Sequence, residues 1–170
     1  MKRQTWVLGL AVIGGIGWYA FRPELLFVRK HVDESLPVAG SAATLSQSTA
    51  GASAATPALL SGQFHSVAHE TRGRASVHRL ADGHLILRLE DFTTSNGPDV
   101  RVYLVAATDA ADDASVTRAG FVEVGRLKGT DGNQNYEVPS DLDLGKYRAV
   151  TIWCKRFSVN FATAPLTPIS

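Results

Sequence analysis

The chain is poor in cysteine and has no excess of charge of either sign. Its 170 residues contain one cysteine, Cys154, and 17 Lys and Arg residues against 16 Asp and Glu residues. A single cysteine excludes an internal disulfide, a four-cysteine zinc site and a CxxC redox pair. The formal net charge of +1 provides no long-range field that would attract nucleic acid. We therefore expect no nucleic-acid partner.

Motifs typical of enzymes and metal sites are also missing. No serine lies in a G-x-S-x-G elbow. The glycine-rich sequence at 125–132 (GRLKGTDG) lacks the G-K-[ST] ending of a phosphate-binding loop, so it predicts a β-turn instead. His65 and His69 are four residues apart, which on a strand separates them by about 13 Å, too far to bind one ion. We predict no metal site and no classical enzyme, and the cofactor stays unknown.

The first thirty residues are typical of a membrane anchor. Lys2 and Arg3 precede an uncharged, mostly apolar run from Trp6 to Phe21, which as a helix would span roughly 24 Å. Extension to Val28 makes the run long enough to cross a bilayer with tilt. We predict one transmembrane helix that contacts lipid over residues 6–28 and stays uncleaved, because no clear A-x-A site follows it; a cleaved signal peptide is the alternative. Lys2 and Arg3 favour a single-pass protein of the cell membrane with its C-terminal domain extracytoplasmic, whereas Arg22, Arg29 and Lys30 favour the opposite orientation under the positive-inside rule. We prefer the first orientation.

A segment without charge separates this anchor from the rest of the chain. No Asp, Glu, Lys or Arg occurs between Ser35 and His69, and 17 of the 21 residues from 38 to 58 are Ala, Ser, Thr or Gly. Such a tract has too little bulky apolar surface to offset the entropy of ordering, so we predict a tether. The chain is thus divided into an anchor at 1–30, a juxtamembrane segment and linker at 31–58, and a folded domain at 59–170.

The domain is predicted to be all-β. Short alternating apolar segments are separated by Gly, Pro, Asn and Asp, and no helical repeat of comparable length occurs. About eight strands in roughly 110 residues predict a small β-sandwich or a partly closed barrel. Beyond the hairpin described next, the predicted strands are 99–106, 121–127, 134–138, 147–154 and 157–162, with an optional helical turn at 109–115.

One hairpin can be predicted down to its register. The strands 73–79 and 84–90 flank Ala81-Asp82-Gly83, a three-residue loop in which Gly83 takes the left-handed position. This loop length places Val77 opposite Leu87 and Ala75 opposite Leu89 on one buried face. It places His78 opposite Ile86 on the other face.

The sequence VTIWCKRF at 150–157 is the most distinctive stretch, since an apolar strand ends in a thiol followed by two cations. Alternation places the Cys154 side chain on the same face as Val150 and Ile152. Phe157, Val159 and Phe161 have the opposite parity, so a bulge or corner is expected near 154–156 if all are buried. Lys155 and Arg156 would favour the thiolate form that a redox cysteine needs. The alternative is a packed, unreactive Cys154, because free cysteine often behaves as a small buried hydrophobe.

Aromatic residues allow a second pair of interpretations. Tyr103, Tyr136 and Trp153 could line a pocket or relay electrons. The alternative is that they are core residues, which is the more frequent role of aromatic side chains in small β domains.

Several collinear motifs resemble the DM-thirteen domain family. They are Gly62-x-Phe64 followed by His69 and Gly73, LRLEDFTTSNGPDVRVYL at 87–104, GRLKGTDGNQNYEVP at 125–139 and YRAVTIWCKRFSVNFATAPL at 147–166. The resemblance covers about residues 60–168, and the N-terminal part is similar to membrane-anchored bacterial members. It implies a β-sandwich-like fold and a role in electron transfer centred on the family's cysteine, here Cys154 after Trp153. On this basis we name Cys154 as the candidate redox thiol, with Trp153, Lys155, Arg156, Tyr103 and His69 as supporting residues.

Two functional hypotheses follow. In the first, an extracytoplasmic domain tethered to the membrane uses Cys154 in thiol redox or electron transfer with a membrane redox partner. A lone cysteine would then need a mixed disulfide, a sulfenate or a bound cofactor to cycle. In the second, the domain is a non-catalytic binding or adhesion module whose turns SNGPD and KGTDGNQN recognise a ligand, and Cys154 is buried packing.

Overall fold

The computed structural model describes residues 29–37 and 57–169. These residues form two β-sheets and one short helix, α1 (Asp113–Ala119). In chain order the strands are β1 (His31–Asp33), β2 (Ala58–Gln63), β3 (His65–Ser66), β4 (Arg72–Arg79), β5 (Leu85–Thr93), β6 (Val100–Val105), β7 (Phe121–Arg126), β8 (Asp131–Val138), β9 (Ala149–Cys154), β10 (Val159–Pro165) and β11 (Thr167–Pro168). The prediction of a mostly β domain is confirmed.

The two sheets form a sandwich. One sheet has the strand order β1-β8-β5-β4-β2-β11, and the other has the order β3-β10-β9-β6-β7. Alternate side chains of both sheets meet in one large core, as expected when two sheets pack face to face. Its fully buried members include Val77, Leu87, Leu89, Val102 and Ile152.

The predicted hairpin is confirmed in strands and register. Val77 pairs with Leu87, Ala75 with Leu89 and His78 with Ile86. Gly83 has a φ of 90° and lies in the loop between Leu80 and His84, whose backbone groups are hydrogen-bonded at 2.8 Å. This local agreement arises because a short loop dictates which residues of its flanking strands face each other.

The predicted bulge lies elsewhere in the chain. The residues after Cys154 form a tight turn, Lys155–Ser158, and the register shift falls within β10 between Asn160 and Ala162. This shift returns Phe161 to the core, whereas Phe157 is 65% exposed at the tip of the turn. A corner, the predicted alternative to a bulge, does follow Cys154 as this turn, whereas the condition that Phe157 be buried with the other residues is not met.

The helix α1 lies further along the chain than the expected turn at 109–115. Asp112 caps it by accepting a hydrogen bond from the backbone N of Ser115 at 2.6 Å. Val116 packs with Tyr103 and Trp153 in a second, smaller core on the outer face of the β9–β6 sheet. The helix therefore covers a sheet face that would otherwise expose aromatic side chains.

The described residues contain no helix long and apolar enough to cross a membrane. The predicted transmembrane helix at 6–28 lies outside the described residues, as does most of the predicted linker.

Residues 30–35 lie along the edge strand β8 and form what we call the strap. Its strand β1 pairs in parallel with β8, with His31 opposite Asp131 and Asp33 opposite Asn133. The Glu34 carboxylate accepts hydrogen bonds from Lys128 Nζ at 2.8 Å and from the Asn135 backbone N at 2.8 Å. These partners are about a hundred residues away in sequence, which is why strand patterns within 31–58 did not indicate the contact.

Gly129 and Gly132 allow the strap to approach closely. A Cβ atom on Gly129 would lie 2.5 Å from the Lys30 carbonyl oxygen and 2.8 Å from Val32 Cγ2. We expect Gly129→Ala to detach the strap, because the backbone atom it meets cannot move aside without breaking the hydrogen bond between Lys30 O and Thr130 N. Hydrogen exchange of the amides of residues 31–35 measures this, and we expect their protection to be lost. In the control Gly145→Ala, whose Cβ would meet only the Asp143 carboxylate in an exposed turn, strap protection should persist; equal loss in both variants would contradict the steric argument.

Candidate functional site

Cys154 is the last residue of β9, and its side chain faces the inside of the sandwich. Its residue is 1% exposed and belongs to the main core together with Val150, Ile152 and Phe161. Across the sheet it pairs with Val100 on β6 and Val159 on β10. The predicted sharing of one face by Val150, Ile152 and Cys154 is thus observed. Thiol–disulfide exchange requires access to the sulfur, and this arrangement provides none in the closed domain.

Lys155 and Arg156 follow Cys154 but lie outside the core. The backbone N of Lys155 donates to the Asp99 carbonyl oxygen at 2.8 Å, and its Nζ donates to Glu123 at 3.0 Å. Arg156 is exposed in the turn after β9. The structure therefore separates the buried thiol from the two cations that the sequence places beside it.

An aromatic group that we call the ladder crosses three neighbouring strands of this sheet: Trp153 on β9, Tyr103 on β6 and Phe121 on β7. The ring centroids of Trp153 and Tyr103 are 6.2 Å apart, and those of Tyr103 and Phe121 are 4.3 Å apart with planes inclined by 2°. Trp153 and Tyr103 are 4% and 1% exposed, whereas Phe121 is 41% exposed. The ladder therefore leads from a buried position next to Cys154 in sequence to the protein surface.

Acidic and basic side chains surround the phenol of Tyr103. Desolvation, followed by the negative charge of Glu123 and a hydrogen bond to it, raises the pKa of Tyr103 to about 12. Partial burial raises the pKa of Glu123, but hydrogen bonds and charges from Lys155 and Arg101 outweigh it and hold this pKa below its usual range. At neutral pH the site thus places a protonated phenol near the ionised carboxylate of Glu123.

Asp99 joins this site to the end of the sandwich. Its carboxylate accepts hydrogen bonds from Arg101 Nε at 2.7 Å and from Arg126 at 3.0 Å. These two hydrogen bonds lower the pKa of Asp99. Arg101 also contacts Glu123 at 2.6 Å, so one ion-pair network runs from Asp99 to Lys155 beside the ladder.

His69, the remaining predicted residue, lies against the core rather than in the ladder. Its ring packs against that of Phe161 with centroids 3.9 Å apart and planes inclined by 42°, and its backbone N donates to the Phe161 carbonyl oxygen at 3.2 Å. Phe161 in turn shares the main core with Cys154. The nearby His65 pairs with Asp109 at 2.9 Å. The described residues contain no cluster of three or more side chains suited to hold a metal ion.

A cavity of about 570 Å³ opens at the end of the sandwich near Cys154. The two loops that the sequence singled out, at 95–99 and 128–135, both contribute to it. The lining also includes Val100, the cross-strand neighbour of Cys154, but Cys154 itself does not line it. The full set of lining residues is Lys30, Asn96, Gly97, Pro98, Asp99, Val100, Arg126, Leu127, Lys128, Gly129 and Thr130.

Comparison with protein families gives a match to the model described as Electron transfer DM13, over residues 63–166. The matched stretch covers most of the sandwich, from the end of β2 to the end of β10. This chain belongs to the DM13 electron-transfer family. The resemblance predicted from the sequence motifs is therefore confirmed, and with it a general redox-related role. Comparison with curated proteins and with solved structures gave no match.

Within this DM13 domain the structure brings together some predicted site residues and separates others. Trp153 and Tyr103 share the ladder, and Lys155 reaches it through Glu123. Cys154 and His69 lie on the core side. Sequence reasoning missed Phe121 and Glu123. Their only signal was an aromatic and an acidic residue two positions apart at the start of a strand. Using that signal would have required knowing that β7 pairs with β6.

Proposed function

We propose that this DM13 chain is a membrane-anchored, extracytoplasmic domain that passes single electrons along the ladder between a membrane redox partner and a second protein. The observation that carries the proposal is the stacked path from buried Trp153 through Tyr103 to exposed Phe121. Family membership supports the redox role. The basic start and apolar run at 6–28 support the anchor.

Tyr103 is the redox-active centre of this proposal. An oxidised one-electron centre of the acceptor protein takes one electron from Tyr103, and the phenolic proton passes to the nearby carboxylate of Glu123. The products are the neutral tyrosyl radical, protonated Glu123 and the reduced acceptor centre. An electron from the reduced membrane partner and the same proton then restore Tyr103. Phe121 is not oxidised in this scheme, since it only covers the Tyr103 ring at the surface.

Cys154 has a different place in this scheme from the one suggested by its sequence context. Electron tunnelling requires no contact between donor and acceptor, whereas thiol exchange does. The buried Cys154 packs the inner side of the strand that carries Trp153. We therefore propose that the strand end at 153–154 is the side facing the membrane partner, and that the thiol forms no mixed disulfide there while the domain is closed.

Photo-oxidation tests the role of Tyr103. A ruthenium photo-oxidant in solution, used with the full chain, should generate a tyrosyl radical that electron paramagnetic resonance detects. We expect Tyr103→Phe to abolish this signal, because phenylalanine lacks the oxidisable phenol, and to leave the fold intact because the ring is retained. In the control Tyr147→Phe, which removes a phenol that packs against the main core and not in the ladder, the signal should persist. Loss in the control and survival in Tyr103→Phe would contradict the proposal.

The proton acceptor can be tested by pH in the same experiment. The pKa of Glu123 lies below the usual carboxyl value of 4.5, so its side chain is ionised and can accept the proton at every pH above that value. Only at lower pH is the carboxylate protonated and no longer able to accept. We expect a constant radical yield from neutral pH down to that range and a decline below it. In Glu123→Gln the yield should be low at every pH, because an amide does not take up the proton. An unchanged yield in this variant would remove Glu123 from the mechanism.

A second function, that of a binding module, is favoured by one observation. The turns SNGPD and KGTDGNQN, which are far apart in sequence, jointly line the cavity at the end of the sandwich. Its volume is typical of small-molecule sites. If the ladder proves inactive in the photo-oxidation experiment, this cavity is the remaining candidate for the role of the domain.

A further inference from the structure

We propose that the end of the sandwich carrying the β9–β10 turn docks onto a bilayer surface of anionic phospholipid, with Phe157 inserted among the headgroups. This proposal rests on the membrane anchor of the proposed function, but it concerns a separate contact. It is independent of the ladder and of any electron transfer.

The first observation is the shape and exposure of the turn after β9. Phe157 is 65% exposed, more than any other large hydrophobic residue that the structure describes as exposed. It lies between the exposed residues Arg156 and Ser158. Ser158 has a φ of 54°, a left-handed conformation that serine seldom adopts. The turn is also held at its base, where Lys155 N donates to the Asp99 carbonyl oxygen at 2.8 Å. An apolar side chain is therefore presented to the outside from a fixed backbone.

The second observation is where the chain enters the domain. Lys30 is fixed by its carbonyl oxygen, which accepts a hydrogen bond from Thr130 N at 2.9 Å. Thr130 in turn accepts a hydrogen bond from Thr94 N, at the end of β5. The loop after Thr94 leads to Val100 at the start of β6, and Val100 pairs with Cys154, the residue before the turn. The turn at 155–158 and the entry point at Lys30 thus lie at the same end of the sandwich.

The predicted membrane segment ends at residue 28, two residues before this fixed point. A spacer of that length cannot hold the domain far from the bilayer, since an extended chain spans at most about 3.6 Å per residue. The strap therefore sets which end of the domain faces the lipid. The long tract at 38–56 does not act as the spacer, because it follows the strap in the chain.

The third observation is the charge of this end. The exposed cations Arg29, Lys30 and Arg156 lie on it, together with Arg126 and Lys155, whose charges are shared with Asp99 and Glu123. Of its acidic residues, Glu70 pairs with Arg72, Asp99 with Arg101 and Arg126, Glu123 with Arg101 and Lys155, and Asp131 with His31. Asp113, which accepts a hydrogen bond from the Asn160 backbone N, forms no ion pair with another described residue. Cations flanking an aromatic side chain are the combination that binds anionic lipid surfaces. The charge and the apolar tip therefore favour one occupant, an anionic bilayer.

Depth-dependent quenching tests this contact in the full chain. The variant Phe157→Trp is reconstituted in vesicles of equal parts phosphatidylcholine and phosphatidylglycerol, with nitroxide-labelled lipids as quenchers. Relative to the parent chain, we expect the added tryptophan emission to shift to the blue and to lose about half of its intensity, as for a side chain buried at the headgroup boundary. In vesicles of phosphatidylcholine alone the quenching should be clearly weaker, and equal quenching would overturn the role of the cations.

A matched control and an internal reference complete the experiment. Ile169→Trp places a tryptophan at a position 54% exposed, next to Leu59 at the opposite end of the sandwich, and should not be quenched. Trp6 and Trp18 of the parent chain report on the anchor itself. If they are quenched and Phe157→Trp is not, the anchor holds and the docking proposal is wrong. If none of them is quenched, the membrane anchoring in the proposed function has failed.

Discussion

The thiol of Cys154 should resist alkylation in the folded chain and react only after unfolding. Its side chain is 1% exposed and packs in the main core of the sandwich. Because alkylating reagents attack an exposed thiolate, labelling must await an opening of the sandwich. A core strand opens with a free energy close to that of global unfolding, so we expect labelling to be slowed by at least about a thousandfold relative to the unfolded chain.

The measurement is the labelling rate of the full chain against pH, with and without denaturant. Cys154→Ser supplies the blank. The double variant Cys154→Ser with Ser140→Cys places one thiol at an exposed turn position and should label rapidly in the folded state. Rapid labelling of Cys154 itself would restore the thiol mechanism. Protection of Cys154 would leave the ladder as the path for electrons.

The variant Gly62→Ala should lower the free energy of unfolding by about 3 kcal/mol, at the upper end of the usual cost of overpacking. A Cβ atom at this position would lie 1.8 Å from the Pro165 carbonyl oxygen and 2.7 Å from its carbonyl carbon. At Pro165 the chain leaves β10 in one sheet and continues through Leu166 to β11 in the other. Neither backbone can yield without disturbing strand pairing in one of the two sheets.

Chemical denaturation monitored by tryptophan fluorescence measures this effect. Gly145→Ala is the matched control, since its Cβ would meet only the Asp143 carboxylate, at 3.0 Å, in an exposed turn. We expect the control to stay within about 0.5 kcal/mol of the parent chain. A similar midpoint in both variants would mean that the crossing at Pro165 can shift to make room for the added methyl group.

The features predicted correctly from the sequence are those decided by near neighbours. The register of Val77 against Leu87 follows from a three-residue loop, and the facing of Val150, Ile152 and Cys154 follows from strand alternation. Both depend on a few consecutive residues and the two-residue period of a strand. The family followed from collinear motifs, and it indicated a redox role without showing which side chains perform it.

The features that were missed depend on pairing between distant segments. Nothing near Glu34 indicates that its carboxylate binds Lys128, and nothing near Phe121 indicates that its ring stacks on Tyr103. Likewise, the sequence KRF suggested cations beside a thiol, whereas the turn places them outside the core.

The sequence by itself determined the β character of the domain, the hairpin register and the family, because hydrophobic alternation and turn residues act locally. Only the tertiary structure decided that Cys154 is sealed, that Trp153, Tyr103 and Phe121 form one path, and that Lys30 and Phe157 share one end of the sandwich. These outcomes depend on which strands pair and where the register shifts, as between Asn160 and Ala162. Such choices reflect the packing of the whole core, in which each strand is placed by partners far away in the chain.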